Sequence, residues 1–346
     1  MFLCNSERLL DIQPFRLHSN NAGEHAHSGR TSAEPTVLAY RHRLSSLRVA
    51  WMFSNMTVLP RIVWIYWQQG EDNAPEIVRR CIASWRIRNP SWSVRVLDAG
   101  SVQGPTGLSP EWFTNRPNIS LQFLSDMVRV ALLSKHGGVW ADASVYCSQP
   151  LDDWLPQRMP SGFFSFSGIR RGRMIGSPFM AAEQGNIIPS RLLYKLLEMF
   201  QDRHFTGNGT WYGRILRAAL KPPLEITPNT TRLWFSRLFT DVLKLYPYFT
   251  LHYMFNKLAI EDPEFADIWS KTPSLPSSLF VRIKHNKNHT VIPDDIRQFI
   301  TSDKFPVHKL NWQADMSTPY WKEVFQLLEA QGFRAGDAEA DSISTM

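Results

Sequence analysis

The chain reads as an α/β protein, a sheet flanked by helices, on three observations. A buried-strand run, Arg61-Ile-Val-Trp-Ile-Tyr-Trp67, leads through a polar loop into a helix with a one-sided apolar stripe and then into an alternating strand. A second helix passes into a second apolar strand through the double glycine Gly137-Gly138. Finally, 346 residues with 43% hydrophobic and 20% charged side chains suffice for one large core, which excludes a disordered or fibrous chain.

In the first unit, Gln68 to Asn73 forms the polar loop, Asn73 stands as helix cap with Glu76 in capping-box position, and Pro75 falls in the first turn. Ile77, Val78, Cys81, Ile82 and Trp85 share one face, Asn89-Pro90 ends the helix, and Trp92 to Leu97 alternates as a strand that ends at Asp98. Ligands of such a sheet lie beyond the strand carboxyl ends. In the second unit, Leu121, Leu124, Val128, Ala131 and Leu132 make the stripe, and Lys135-His136 suits the negative helix terminus. Asp126 and Arg129, three apart, share a face away from that stripe.

Residues 1–57 read as a poorly ordered leader, rich in His, Ser, Asn and Arg without a period, 58–335 as one domain, and 336–346 as a frayed tail. The aromatic stretch Trp234 to Phe255 reads mainly as core, with apolar surface to spare for a lipid-linked acceptor.

Lysine and arginine number 38 against 31 acidic residues, a formal charge of +7 that favours nucleotides, phosphates, acidic polymers and membrane surfaces. Cys4, Cys81 and Cys147 form neither a disulfide framework nor a CxxC metal motif, so a reducing compartment is expected. No run approaches the roughly 20 apolar residues of a membrane span, and no apolar signal core opens the chain. The expectation is a cytoplasmic protein, soluble or peripheral to a membrane.

Asp142, after the strand Val139-Trp140-Ala141, is the chemical focus. A carboxylate there is costly unless something pairs with it, and the candidates are Arg129, a bound cation, or both. Taken alone, an Asp-Arg pair is more often structural than catalytic.

The segments SDMVRVALLSKHGG and VWADASVYCSQPLDDW, with the opening IVWIYWQQGEDNAPEIVRRCIASWRIRNP and the late blocks YFTLHYMFNKLAIEDPEFADIWSKTP and FPVHKL, resemble the capsular polysaccharide synthesis protein family. That family is akin to the DXD-containing sugar transferases of glycosyltransferase family 32. The resemblance spans roughly Leu59 to Trp312 and implies a GT-A-like nucleotide-diphospho-sugar transferase fold, a mixed twisted sheet with a helical C-terminal half. It implies a retaining transfer of a hexose from a nucleotide-sugar donor to a glycan, polysaccharide or lipid-linked acceptor. Asp142, Asp126 and Arg129 take the catalytic roles: Arg129 holds phosphate by its planar fork, and Asp126 accepts from sugar hydroxyls. Trp67 lies at the nucleotide base, and Gly138, Ser144 and Lys309 join the donor set. Trp64 reads as core.

Asp142 matches the first Asp of the DXD motif, which in that superfamily binds a divalent cation, Mg²⁺ or Mn²⁺, bridging the donor diphosphate. Ser144 stands where the second carboxylate would be, and His308 is the distant candidate ligand that completes the set. Asp152-Asp153 reads as loop capping, Arg170 to Arg173 as a basic loop able to meet an anionic acceptor, and Glu183 to Asn186 as a weaker acceptor candidate. Two rivals stand beside this reading. One is a non-catalytic nucleotide-sugar or glycan binder, motivated by Ser144. The other is a nucleic-acid binder, motivated by charge and aromatics, for which no nucleic-acid motif is present, so no nucleic-acid partner is expected.

Overall fold

The computed structural model describes residues 58–114, 119–168, 170, 172–201, 203–285, 291–302 and 304–343. The leader expected over 1–57 lies outside them. The strands are β1 (Ile62–Tyr66), β2 (Ser93–Leu97), β3 (Gly138–Ala141), β4 (Val145–Cys147), β5 (Phe163–Ser167), β6 (Ile175–Ala182) and β7 (Val307–Lys309). Five of them form a mixed sheet in the order β2-β1-β3-β6-β5. β1 runs parallel to β2 and β3, while β6 is antiparallel to both β3 and β5. β4 and β7 form a separate antiparallel ladder that pairs Val145 with Lys309. The principal helices are α1 (Glu76–Arg88), α2 (Leu121–His136), α3 (Ile187–Phe200), α4 (Trp211–Leu224), α5 (Thr250–Glu261) and α6 (Pro319–Ile343). Among the described residues after β6 only β7 is a strand, so the C-terminal half is helical as expected, and helical backbone continues to Ile343, past position 336.

The alternation of strand side chains sorts the core into two layers. Val63, Ile65, Val139 and Ala141 face one way, onto Ile77, Cys81 and Trp85 of α1 and Val324 and Leu328 of α6. Trp64, Trp140 and Met180 face the other, onto Met127 and Ala131 of α2 and Leu192 and Leu196 of α3. Two buried indoles find carbonyl acceptors, Trp64 on Gly137 at 3.0 Å and Trp85 on Val145 at 2.8 Å. Trp64 is thus a core residue, as its apolar strand predicts.

The expected capping box of α1 does not form. Glu71–Asn73 closes a 3₁₀ turn, Asn73 donates to the Gln69 carbonyl at 2.9 Å, and extended Pro75 takes the cap position without a side-chain bond. Glu76 pairs instead with Arg80 at 2.9 Å. α2 is capped by Ser120, whose hydroxyl accepts from the Phe123 N–H at 3.2 Å. Its stripe is buried except for Leu121, which is exposed. Within the aromatic stretch Trp234, Phe239, Leu245 and Tyr246 are buried, whereas Leu238 and Val242 are exposed. Among the described residues, no helix is long and apolar enough to cross a membrane.

Gly137 (φ 67°) and Gly138 (φ 90°) make the reversal between α2 and β3. A Cβ on Gly138 would stand 2.6 Å from the Ile62 carbonyl oxygen, on the neighbouring strand. Gly185 also has positive φ (82°) but faces open space. Gly138→Ala should therefore destabilise the protein by about 2–4 kcal/mol, combining strain with backbone overlap, and Gly185→Ala by about 1–2 kcal/mol, from strain alone. Urea denaturation checks the difference; equal midpoints would remove the close approach as its cause.

Candidate functional site

The site forms where β1, β2 and β3 reach their carboxyl ends, the edge at which Trp67, Asp98 and Asp142 follow. The Asp142 N–H donates to the Pro178 carbonyl and its own carbonyl accepts from Val145, both at 2.8 Å, so the turn after β3 is pinned on both sides. Its side chain is 22% exposed, at the rim of the sheet rather than inside it. Oδ1 accepts from the Trp140 indole at 3.0 Å and lies 3.2 Å from Arg129 Nη2. Oδ2 accepts from Lys309 Nζ at 2.9 Å, and the same ammonium donates to Ser144 Oγ at 2.7 Å.

Arg129 is buried and oriented by three neighbours. Nη1 donates to the Ser177 carbonyl at 2.7 Å, Nη2 lies 3.3 Å from Asp126 Oδ1, and the guanidinium carbon is 5.1 Å from the Trp140 ring centre. α2 supplies Asp126 and Arg129 one turn apart, on a face turned towards Asp142. Five of the expected residues, Asp126, Arg129, Asp142, Ser144 and Lys309, therefore meet, Lys309 from far along the chain.

The two carboxylates are held differently. Burial alone would push Asp142 up, but Lys309 and Arg129 outweigh it and hold the carboxyl below its usual range. Burial dominates at Asp126 and pushes it up to about 6, against the pull of Arg129 and with a further push from Asp142.

Other expected residues lie elsewhere. Gly138 starts β3 and so sits at the opposite strand end from Asp142, where it lets β1 approach. His308 and Lys309 are successive on β7 and point to opposite faces. With Lys309 on Asp142, the His308 ring is turned into the core between Phe299 and Phe305, and its two nitrogens have no hydrogen-bond partner there. Burial lowers its pKa to about 3. Glu183 to Asn186 lines a cleft of about 530 Å³ with Gly162 and Asp267, next to the β6 end that pairs with Gly138, hence away from Asp142. Asp152 is bound by Arg61 at 3.3 Å and by the Trp92 indole at 3.2 Å, a structural role. Arg173, from the basic loop, lies over the Phe249 ring at 4.2 Å.

Trp67 follows β1 at the rim, its ring edge-on to Trp312 at 5.8 Å and its indole N–H buried without a partner. Trp312, 43% exposed, completes an aromatic corner that sequence reading did not single out. His252 on α5 is a second addition. It is buried, its Nδ1 has no partner, and burial followed by the charges of Arg173 and Arg129 lowers its pKa to about 3, so it is neutral at physiological pH. A lone histidine in the largely apolar run YFTLHYMF was its one sequence signal. The Tyr248 hydroxyl donates to Gln122 on α2, one turn before Asp126.

The donor set does not fit a resident divalent cation. Both Asp142 oxygens and the Ser144 hydroxyl already face side-chain donors, His308 points away, and among the described residues no group of three His, Cys, Asp or Glu can hold a metal. A dication on Oδ2 would lie about 4 Å from the Lys309 ammonium, a repulsion of about 8 kcal/mol at an effective dielectric constant of 20.

Residues 45–206 match the capsular polysaccharide synthesis protein family, which bears out the sequence resemblance to that family. An O-glycosyltransferase, braB, of Annulohypoxylon truncatum is 31% identical over 150 residues, 38% of this chain and 35% of that protein. The glycosyltransferase afumC of Aspergillus fumigatus is 36% identical over 106 residues, 27% of this chain and 26% of that one. A putative glycosyltransferase of Saccharomyces cerevisiae, HOC1, is 21% identical over 216 residues, 51% of this chain and 52% of that one. The chain thus spans about a third or less of the first two relatives' length, and it is related to glycosyltransferases over the part they share.

Asp126 gives the site a pH signature. The folded chain keeps its proton up to about pH 6, while the unfolded chain releases it near the ordinary value of 3.8. Its contribution to stability is therefore full below pH 3.8, falls as pH rises through that window and levels off above pH 6. Asp126→Asn abolishes this loss, so its stability relative to wild type should rise by about 2 kcal/mol between pH 4 and pH 8. Urea melts at several pH values check this; a constant difference would show that Asp126 ionises normally.

Proposed function

We propose that the protein is a glycosyltransferase that moves a hexose from a nucleotide-sugar donor to a hydroxyl of a glycan or polysaccharide, in capsular or cell-surface polysaccharide synthesis. One observation carries the reading: Arg129, Lys309, Asp126 and Asp142 converge at the carboxyl ends of the parallel strands, beside the Trp67–Trp312 corner. The family match supports it, and the mixed sheet supports a GT-A-like fold.

The donor base stacks on the aromatic corner, and the diphosphate lies towards Arg129, whose planar fork suits phosphate oxygens. Asp126 accepts from donor hydroxyls once ionised. As the bond between the anomeric carbon and the β-phosphate oxygen breaks, its electron pair stays on that oxygen, where fixed cations stabilise it. The acceptor oxygen bonds the same carbon and gives its proton to the departing diphosphate. By resemblance to family 32 the anomeric configuration is retained.

Ser144 in place of a second carboxylate favours one rival, a binder without turnover. Asp142→Asn should reduce donor hydrolysis or transfer at least 100-fold with the far-UV spectrum unchanged, and Arg129→Lys at least tenfold, because a point charge cannot replace the fork. Wild-type turnover in either variant removes that residue from the chemistry. Donor binding by wild type with no turnover on any acceptor selects the rival.

One surface of the helical half is basic and apolar. Trp211, Tyr212 and Ile215 on α4, with Leu238 and Val242, are exposed among Arg214, Lys221, Arg237 and Lys244. Such a surface suits the headgroup layer of an anionic membrane and an acceptor presented there. The protein should co-sediment with phosphatidylglycerol-containing vesicles several-fold better than with phosphatidylcholine vesicles, and Val242→Glu should reduce this. Equal sedimentation would remove the membrane contact.

A further inference from the structure

The residues that frame Asp142 are arranged for a different source of positive charge from the cation that a DXD motif recruits. Lys309 Nζ bridges Asp142 Oδ2 at 2.9 Å and Ser144 Oγ at 2.7 Å, the two side chains that occupy the first and last positions of the motif. Its side chain is 12% exposed beside the 22% exposed Asp142, so it is held in place yet open to the rim. The backbone sets this position. Lys309 pairs with Val145 in the β4–β7 ladder, and Leu310 N–H donates to the Ser144 carbonyl at 2.8 Å, which ties β7 to the turn that carries Asp142. A hydroxyl in place of the second carboxylate is what an ammonium needs as a neighbour: it accepts a hydrogen bond without adding a charge that a single cation must offset.

We propose that Lys309 is the built-in counterpart of the metal: its ammonium, with the Arg129 guanidinium, binds the donor diphosphate and takes up the charge on the departing oxygen, so that the site works without a divalent cation. Asp142 is then the holder of the ammonium rather than a metal ligand. This rests on the nucleotide-sugar reading above. Electron and proton balance are as given there; Lys309 neither gains nor loses a proton and acts as a fixed charge.

The test uses the full chain with UDP, GDP and ADP as probes, by calorimetry in EDTA and in MnCl₂, and Mn²⁺ alone followed by electron paramagnetic resonance. At least one diphosphate should bind with affinity within threefold in the two conditions, and Mn²⁺ alone should stay free. Lys309→Met should weaken that binding in EDTA at least tenfold, and Lys309→Arg should restore most of it. Affinity that collapses in EDTA, or Mn²⁺ bound by wild type, overturns the inference while leaving the donor-site reading intact. No binding of any diphosphate in either condition overturns both. The wild-type comparison in EDTA and MnCl₂ decides the matter even where Lys309→Met does not fold, and unchanged affinity in a folded Lys309→Met removes Lys309 from the diphosphate.

Discussion

A carboxylate at the end of an apolar strand has to be answered by positive charge, and at Asp142 the answer comes from two directions. Arg129 reaches it from α2, thirteen residues earlier, and Lys309 from β7, near the end of the sheet domain. The interaction joins α2 and β3, which already share a core layer, to the small outer ladder of β4 and β7. Burial works against the ionised carboxylate and the two cations outweigh it, so the rim of the sheet acquires its chemistry from the same contacts that close it.

The environment separates two carboxylates that look alike in sequence. Asp142 sees two cations and is kept ionised, whereas Asp126, deeper on the helix, shares one guanidinium and is raised by burial. Around them the neutral His252, the Tyr248–Gln122 pair and Arg173 extend the site towards α5. Arrival of an anionic ligand would give Arg129 and Lys309 a further partner without requiring a new charge to be imported.

The failures of sequence expectation have physical causes. Gly138 and Asp142 are four residues apart, near in sequence, yet a strand rises by about 3.3 Å per residue and sets them at opposite ends of the sheet. His308 and Lys309 are adjacent, yet the pleat turns one into the core and the other to the rim. The capping box of α1 satisfied the spacing rule but lost to a 3₁₀ turn that used the Asn73 amide locally.

Local pattern, then, determined the strands β1, β2 and β3, the stripe of α2, the double-glycine reversal, the core role of Trp64 and the shared helix face of Asp126 and Arg129, because each depends on periods of two or 3.6 and on neighbours a few residues away. Tertiary structure alone decided that Lys309 sits on Asp142, that Trp312 meets Trp67 and that His252 stands behind the site. Those contacts join residues more than a hundred positions apart, and no periodicity in one chain records which distant side chain a folded sheet will bring to its edge.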